Sequence, residues 1–242
     1  MKTPGVYIQE LDAFGNAIAP VPTAIPAFIG YTEQSTYNGK SIINKPIRIN
    51  SLAEFRATFE LSKAPTRPTS TFTIKKVETH NEMATFSSNG VTYALSASAT
   101  IYRLHDAIKL FYANGGETCY IISIGNYTSE IKLDAFTDAI TQLTKELEPT
   151  MLVIPDAEAL KIGKNTALLE EQFLNVYTLQ AAMIDHCGSM KNRVAILDVP
   201  GGYNEPITSP PASVAAFRNG VTPSNPFYNS YSVAYYPWLH TR

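Results

Sequence analysis

Cysteine is scarce: Cys119 and Cys187 are the only two in 242 residues, too few for a disulfide framework. Both lie in apolar surroundings, which predicts buried thiols in a reducing compartment. Charge is scarce as well, at 17% of residues with a net of −2. Lys75-Lys76 is the one adjacent basic pair. Such a chain has no general electrostatic pull toward nucleic acid or an anionic membrane, so neither is expected as a partner. No stretch is long and apolar enough to span a bilayer, and the opening "MKTPGVYIQE" lacks the apolar run of a signal peptide. The expectation is synthesis and folding in the cytoplasm, whatever the final place of assembly. There is no repeat period and no low-complexity tract.

Catalytic and cofactor motifs are also missing. The four histidines, His80, His105, His186 and His240, are scattered. His186 beside Cys187 is a poor chelate, because adjacent helical residues point apart. No serine stands in a G-x-S-x-G elbow. "YNGKS" (Tyr37 to Ser41) resembles the end of a phosphate-binding loop, but Gln34 occupies the place of the earlier glycine and β-like residues follow, so a turn is expected. Gly115-Gly116 and Gly201-Gly202 lack dinucleotide-binding spacing. No metal, cofactor or catalytic residue is therefore expected. The one enzymatic alternative uses Asp156 and Asp198, two acids at strand ends, as metal ligands or a general acid/base pair of a hydrolase-like or metal-dependent enzyme. The plainer reading is that such an aspartate caps the turn or helix after it, and Asp156 before "AEAL" suits that.

What is present is α/β patterning. "AFIGY" (27–31), "ETCYIISIG", "TMLVIPD", "NRVAILDVP" and "YSVAYYPWL" read as strands. Between them, amphipathic helices carry Leu104, Ile108 and Phe111; then Leu133, Phe136, Ile140, Leu143 and Leu147; then Leu169, Phe173, Val176 and Met183 on a helix from about 166 to 187, ending at Gly188. Asn114-Gly115-Gly116 is a left-handed helix stop. Ser51 with Glu54 is a capping box for a short helix through Phe55 and Phe59. Strands apolar throughout, alternating with helices, predict a three-layer α/β sandwich around a mostly parallel sheet. Residues 61–100 are instead rich in Thr, Val, Phe and Tyr around an Asn89-Gly90 hairpin signal, and read as a β-rich insertion. The expected division is an extended N-terminal arm over 1–22 and an α/β core domain over 23–242.

Two features fit no pocket. "TPGVYIQELD" has strand chemistry in Val6, Tyr7, Ile8, Gln9 and Leu11 but no partner follows it; Pro20, Pro22 and Pro26 make the next segment a tether. Tyrosines crowd into "NPFYNSYSVAYYPWL", as either a half-exposed core strand or an interface.

Several stretches together resemble the tail sheath proteins of contractile phage tails and extracellular contractile injection systems, the antifeeding-prophage-like ones in particular. They are "TPGVYIQELDAF" with "VPTAIPAFIGYT", "YRLHDAIKLFYANGGETCYIISIG", "LVIPDA" with "RVAILDVP", and "SVAYYPWL". The resemblance implies a non-enzymatic structural subunit that stacks as hexameric rings around an inner tube. Copies would be stitched by strand-exchanging arms that act as hinges during contraction. It also implies further copies or sheath paralogues, the inner tube, and baseplate and cap proteins as partners, and a released phage tail or injection particle as the destination. Family members continue past "YYPWL" into a further domain and C-terminal arm, so the chain corresponds to the N-terminal portion. On this reading Val6, Tyr7 and Ile8 carry an intermolecular strand, since main-chain pairing with a free sheet edge gives affinity without a pocket.

Overall fold

The apolar run "PAFIGYT" is buried along its whole length because both faces of its strand are covered. In the computed structural model, which describes residues 24–61, 72–77, 86–97, 102–162, 168–202 and 212–238, this strand, β1 (Pro26–Thr32), lies near the middle of a six-stranded sheet. The other strands are β4 (Ile47–Ile49), β8 (Cys119–Asn126), β9 (Met151–Val153), β10 (Val194–Asp198) and β11 (Ser232–Tyr235), in the order β11-β10-β9-β1-β8-β4. All neighbours pair in parallel except β4, which runs antiparallel to β8 at one edge. A hairpin of β2 (Thr36–Tyr37) and β3 (Lys40–Ser41) turns through Asn38 and Gly39, both at positive φ, so "YNGKS" is a turn. A separate antiparallel sheet, β5 (Phe72–Val77), β7 (Val91–Ala97) and β6 (Phe86–Ser88), uses Asn89 and Gly90 in the same way.

Successive side chains of a strand point to opposite faces. On one face Phe28, Ile49, Cys119 and Ile121 pack against α1 (Leu52–Phe59) and α2 (Leu104–Ala113) through Phe55, Phe59, Leu104 and Ile108. On the other, Ala27, Ile29, Ile122, Leu152, Ala195 and Leu197 meet α3 (Leu133–Gln142), α5 (Leu174–Met190) and α6 (Ala212–Gly220). Each fully buried large apolar side chain contributes about 1.5–3 kcal/mol. This is the expected α/β architecture of helices on both faces of a mostly parallel sheet, with one local difference. Among the described residues the α1–α2 layer covers β1, β8 and β4 and touches β9 only through Val153. At the far end Met151, Val153, Val194 and Ile196 are half-buried, and Val233 and Tyr235 of the edge strand are 41% and 58% exposed.

Local signals explain the element ends. Ser51 Oγ accepts from Glu54 N at 3.1 Å, while Glu54 Oε2 accepts from Asn50 N at 2.9 Å. Gly115, at φ +85°, ends α2. The helix over 133–147 is shorter than its periodicity suggests. After Gln142 the chain tightens into a 3-10 turn, Leu143–Lys145, which leaves Leu147 74% exposed. The long helix breaks at Phe173 between α4 (Leu169–Gln172) and α5, and it runs past Gly188 to Met190, where Lys191 takes the left-handed cap at φ +60°. Gly188 is thus not a stop. A Cβ there would sit 2.2 Å from the Tyr228 ring, so the glycine admits that tyrosine against the helix.

Val6, Tyr7, Ile8, Gln9, Leu11, Pro20 and Pro22 lie outside the described residues. Pro26, read from sequence as tether, opens β1 opposite Met151.

Candidate functional site

In open α/β sheets the carboxyl ends of the strands are where sites form. Asp156, just past β9, is fully buried there, but its side chain does not cap the 3-10 turn Ala157–Leu160 that follows it. It turns toward β1 and α2 instead. Its Oδ2 accepts from Tyr31 N at 2.8 Å, and its Oδ1 accepts from Leu104 N at 3.0 Å and from Arg103 N. The residue preceding α2, Arg103, has no side-chain oxygen to offer, so the carboxylate supplies the missing cap from more than fifty residues away. Gly30 makes room, since a Cβ at that position would lie 2.5 Å from Asp156 Oδ2. Burial pushes the carboxyl up to about 6, against the opposing pull of the three amides.

Asp198 does not join it. It stands exposed at the end of β10, and its carbonyl accepts from Gln180 Nε2 at 2.8 Å. The acid nearest the Arg103 guanidinium is Glu158, with Oε2 3.4 Å from Nη2. The same guanidinium lies over Trp238, 5.8 Å from the ring centroid, and Trp238 Nε1 donates to the Val199 carbonyl at 2.8 Å. Chain leaving β11 is thereby fastened across the strand ends. Beside this clasp Tyr31 meets Tyr102 edge to face and Tyr102 meets Tyr127 at a tilt, with centroids 5.4 and 4.8 Å apart, and Tyr102 donates to the Tyr127 carbonyl. Among the described residues, these side chains pack across the ends of β1, β9 and β10. Among the described residues no group of three His, Cys, Asp or Glu could hold a metal ion.

The amino ends of the strands hold a second buried charge. Arg193, immediately before β10, is 4% exposed. Its guanidinium donates to the Leu143 carbonyl at 3.1 Å, to the Glu146 carbonyl, to Asn192 Oδ1 at 3.0 Å and to His186 Nε2 at 3.3 Å. Burial, then the guanidinium charge, holds His186 down at about 4. His105 Nδ1 pairs with buried Glu60 Oε1 at 2.5 Å. Burial raises Cys119 to about 11 and Cys187 to about 12.

A hollow lies elsewhere, under the β11 edge. It encloses about 200 Å³ between α5, α6 and β11, lined by Phe217, Arg218, Val221, Asn229, Ser232 and Ala234 among others.

Sequence reasoning singled out Asp156 but not its partners. Gly30 carried a usable signal, as a glycine inside an apolar strand marks close approach. Arg103, Arg193 and Trp238 carried none.

The chain is therefore an α/β protein built on a mostly parallel sheet, with side-chain contacts bridging its carboxyl ends. No protein-family model and no curated protein matches it. Among solved structures it is similar to the helical sheath of the anti-feeding prophage in its contracted state, at 16% identity and a TM-score of 0.41. The likeness covers 91% of this chain and 52% of that one, so the chain spans about half the length of the sheath subunit it matches.

Proposed function

We propose that this chain is a structural sheath subunit, or the N-terminal portion of one, of a contractile tail or injection system. Copies polymerise as stacked hexameric rings around an inner tube, joined through strand-exchanging arms, and contract to drive the tube into a target. The observation that carries this reading is where the resembling stretches fall. "AFIGYT", "YRLHDAIKLFYANGGETCYIISIG", "LVIPDA", "RVAILDVP" and "SVAYYPWL" become β1, α2 with β8, β9 with Asp156, β10, and β11. They are the elements that the Asp156 and Trp238 contacts fasten together. A body braced by contacts across its strand ends suits a subunit moved as a rigid unit, with a proline-bearing tether as its hinge. Self, tube, baseplate and cap proteins are the partners this role requires.

The test is negative-stain microscopy of the full chain beside Tyr7→Pro, which removes a main-chain donor from the arm. Rings or tubes from the parent, lost in the variant at an unchanged Tm, are expected. A monomer in both samples would sink the reading.

A further inference from the structure

We propose that Asn38 is a site of spontaneous covalent modification: with Gly39 it closes to a cyclic imide and reopens as aspartyl and isoaspartyl forms, ahead of every other Asn-Gly pair in the chain. The chemistry does not depend on the sheath reading.

Four such pairs occur, Asn38-Gly39, Asn89-Gly90, Asn114-Gly115 and Asn219-Gly220. A glycine in second place leaves its own amide unshielded and its backbone free to turn. The Gly39 nitrogen gives its proton to hydroxide and bonds to Asn38 Cγ. The Cγ–Nδ2 bond breaks, and ammonia leaves with a proton from water. Water then opens the ring. Cleavage between the glycine nitrogen and Cγ leaves aspartate. Cleavage between that nitrogen and the main-chain carbonyl leaves isoaspartate, whose backbone runs through Cβ. In sum an amide and water become an acid and ammonia, with no oxidant or reductant.

The four pairs are held differently. Asn114 Nδ2 donates to the Leu110 carbonyl at 2.7 Å, and the Gly115 nitrogen is tied to the Tyr112 carbonyl at 3.2 Å, so leaving group and nucleophile are both fixed. Asn219 and Gly220 lie in α6, whose ladder runs on past them to the Val221–Phe217 bond at 3.0 Å, and a Cβ on Gly220 would sit 2.3 Å from the Tyr177 ring. Asn38 and Asn89 stand instead at exposed hairpin tips, with open space around the glycines. Neither side chain bonds to a described residue, and neither glycine nitrogen is held by the main chain of one.

Both turns are left-handed and must relax before the nitrogen can reach Cγ, so the weaker hairpin reacts first. β2 and β3 share two residue pairs, Thr36 with Ser41 and Tyr37 with Lys40, all exposed. β6 and β7 share three, and β7 is also paired with β5. They are reinforced by the Phe86–Tyr93 stack at 5.3 Å and the Ser87–Thr92 bond at 3.2 Å. The aspartyl product adds a charge but can keep the turn, because aspartate tolerates positive φ. The isoaspartyl product is one backbone atom longer and takes Tyr37 and Lys40 out of register.

The experiment stores folded full chain for weeks in mildly alkaline buffer made with heavy-oxygen water, beside a sample in guanidinium. Peptide maps by mass spectrometry follow the label at each asparagine. In the folded chain Asn38 should be labelled first and Asn89 about five-fold more slowly, the worth of one stacked cross-strand pair. Asn114 and Asn219 should stay unlabelled. In guanidinium the four should react alike, and an isoaspartate methyltransferase should mark the aged Asn38 peptide but not the fresh one. Labelling of Asn38 no faster than of Asn114 or Asn219, or one ranking in both samples, overturns the proposal. A chain that labels at Asn38 yet never forms rings sinks the sheath reading and leaves this one standing.

Discussion

At the carboxyl ends of the parallel strands a buried carboxylate receives the amides of a helix start. At the amino ends a buried guanidinium donates hydrogen bonds to the carbonyls at a helix end. Asp156 and Arg193 are matched in task and opposite in sign, as the polarity of helix termini demands. They differ in reach. The aspartate is short, so backbone must come to it, and Gly30 is what allows this. The arginine is long and planar, spans two carbonyls of the turn after α3, and needs no glycine. A short charge therefore constrains the sequence around it, whereas a long one constrains only its targets.

Removing each in turn is the strongest way to break the match. Arg193→Ala should cost about 4 kcal/mol, because two carbonyls lose their donor and a packed stem disappears. Asp156→Ala should cost about 3 kcal/mol, three orphaned amides being partly offset by release of a buried charge. Denaturant melts of both variants check the order; equal and negligible effects would mean that neither charge organises a helix end.

Gly30→Ala tests the difference in reach. It should cost about 2 kcal/mol alone and clearly less in the Asp156→Ala background, where the colliding oxygen is gone. Simple additivity in the double-mutant cycle would remove the glycine from the account.

The smallest effect sharpens the comparison through pH. Asp156, raised from 3.8 to about 6, holds its proton more readily folded than unfolded, so its stabilising contribution is present in acid and lost as pH rises through about 6. His186, lowered from 6.5 to about 4, is the reverse: its contribution is present above 6.5 and lost as pH falls toward 4. Between about pH 4 and 6 the two oppose. Asp156→Asn should make stability fall more steeply with acid than in the parent, and His186→Phe should make it fall less. Each difference in slope should stay within about 1.4 kcal/mol per pH unit, the limit for one proton. Melts at pH 4, 5, 6 and 7 measure it.

Much of the fold was legible because its signals are local. Apolar runs at β1 and β8, the period of α2 and α5, and the Asn-Gly turns at 38–39 and 89–90 all act within a few residues. What was not legible depends on contacts far along the chain. Asp156 was readable as a cap, yet the helix it caps begins 52 residues earlier, and nothing near position 156 encodes that choice. Gly188 looked like a stop because glycine ends helices by local geometry, but its role is set by the Tyr228 ring. Leu147 fitted a helical stripe that ended before reaching it. The antiparallel direction of β4 and the half-open face at β11 are properties of strand order, which periodicity does not carry.

One consequence follows from where β1 sits. It is early in the chain yet internal to the sheet, hydrogen-bonded to β8 on one side and β9 on the other. A load applied to the polypeptide ahead of residue 24 would act along the axis of β1. It would strain the hydrogen bonds to both neighbours together, in shear, instead of peeling them one after another. Tension arriving from that side would thus be borne by two strand pairings at once.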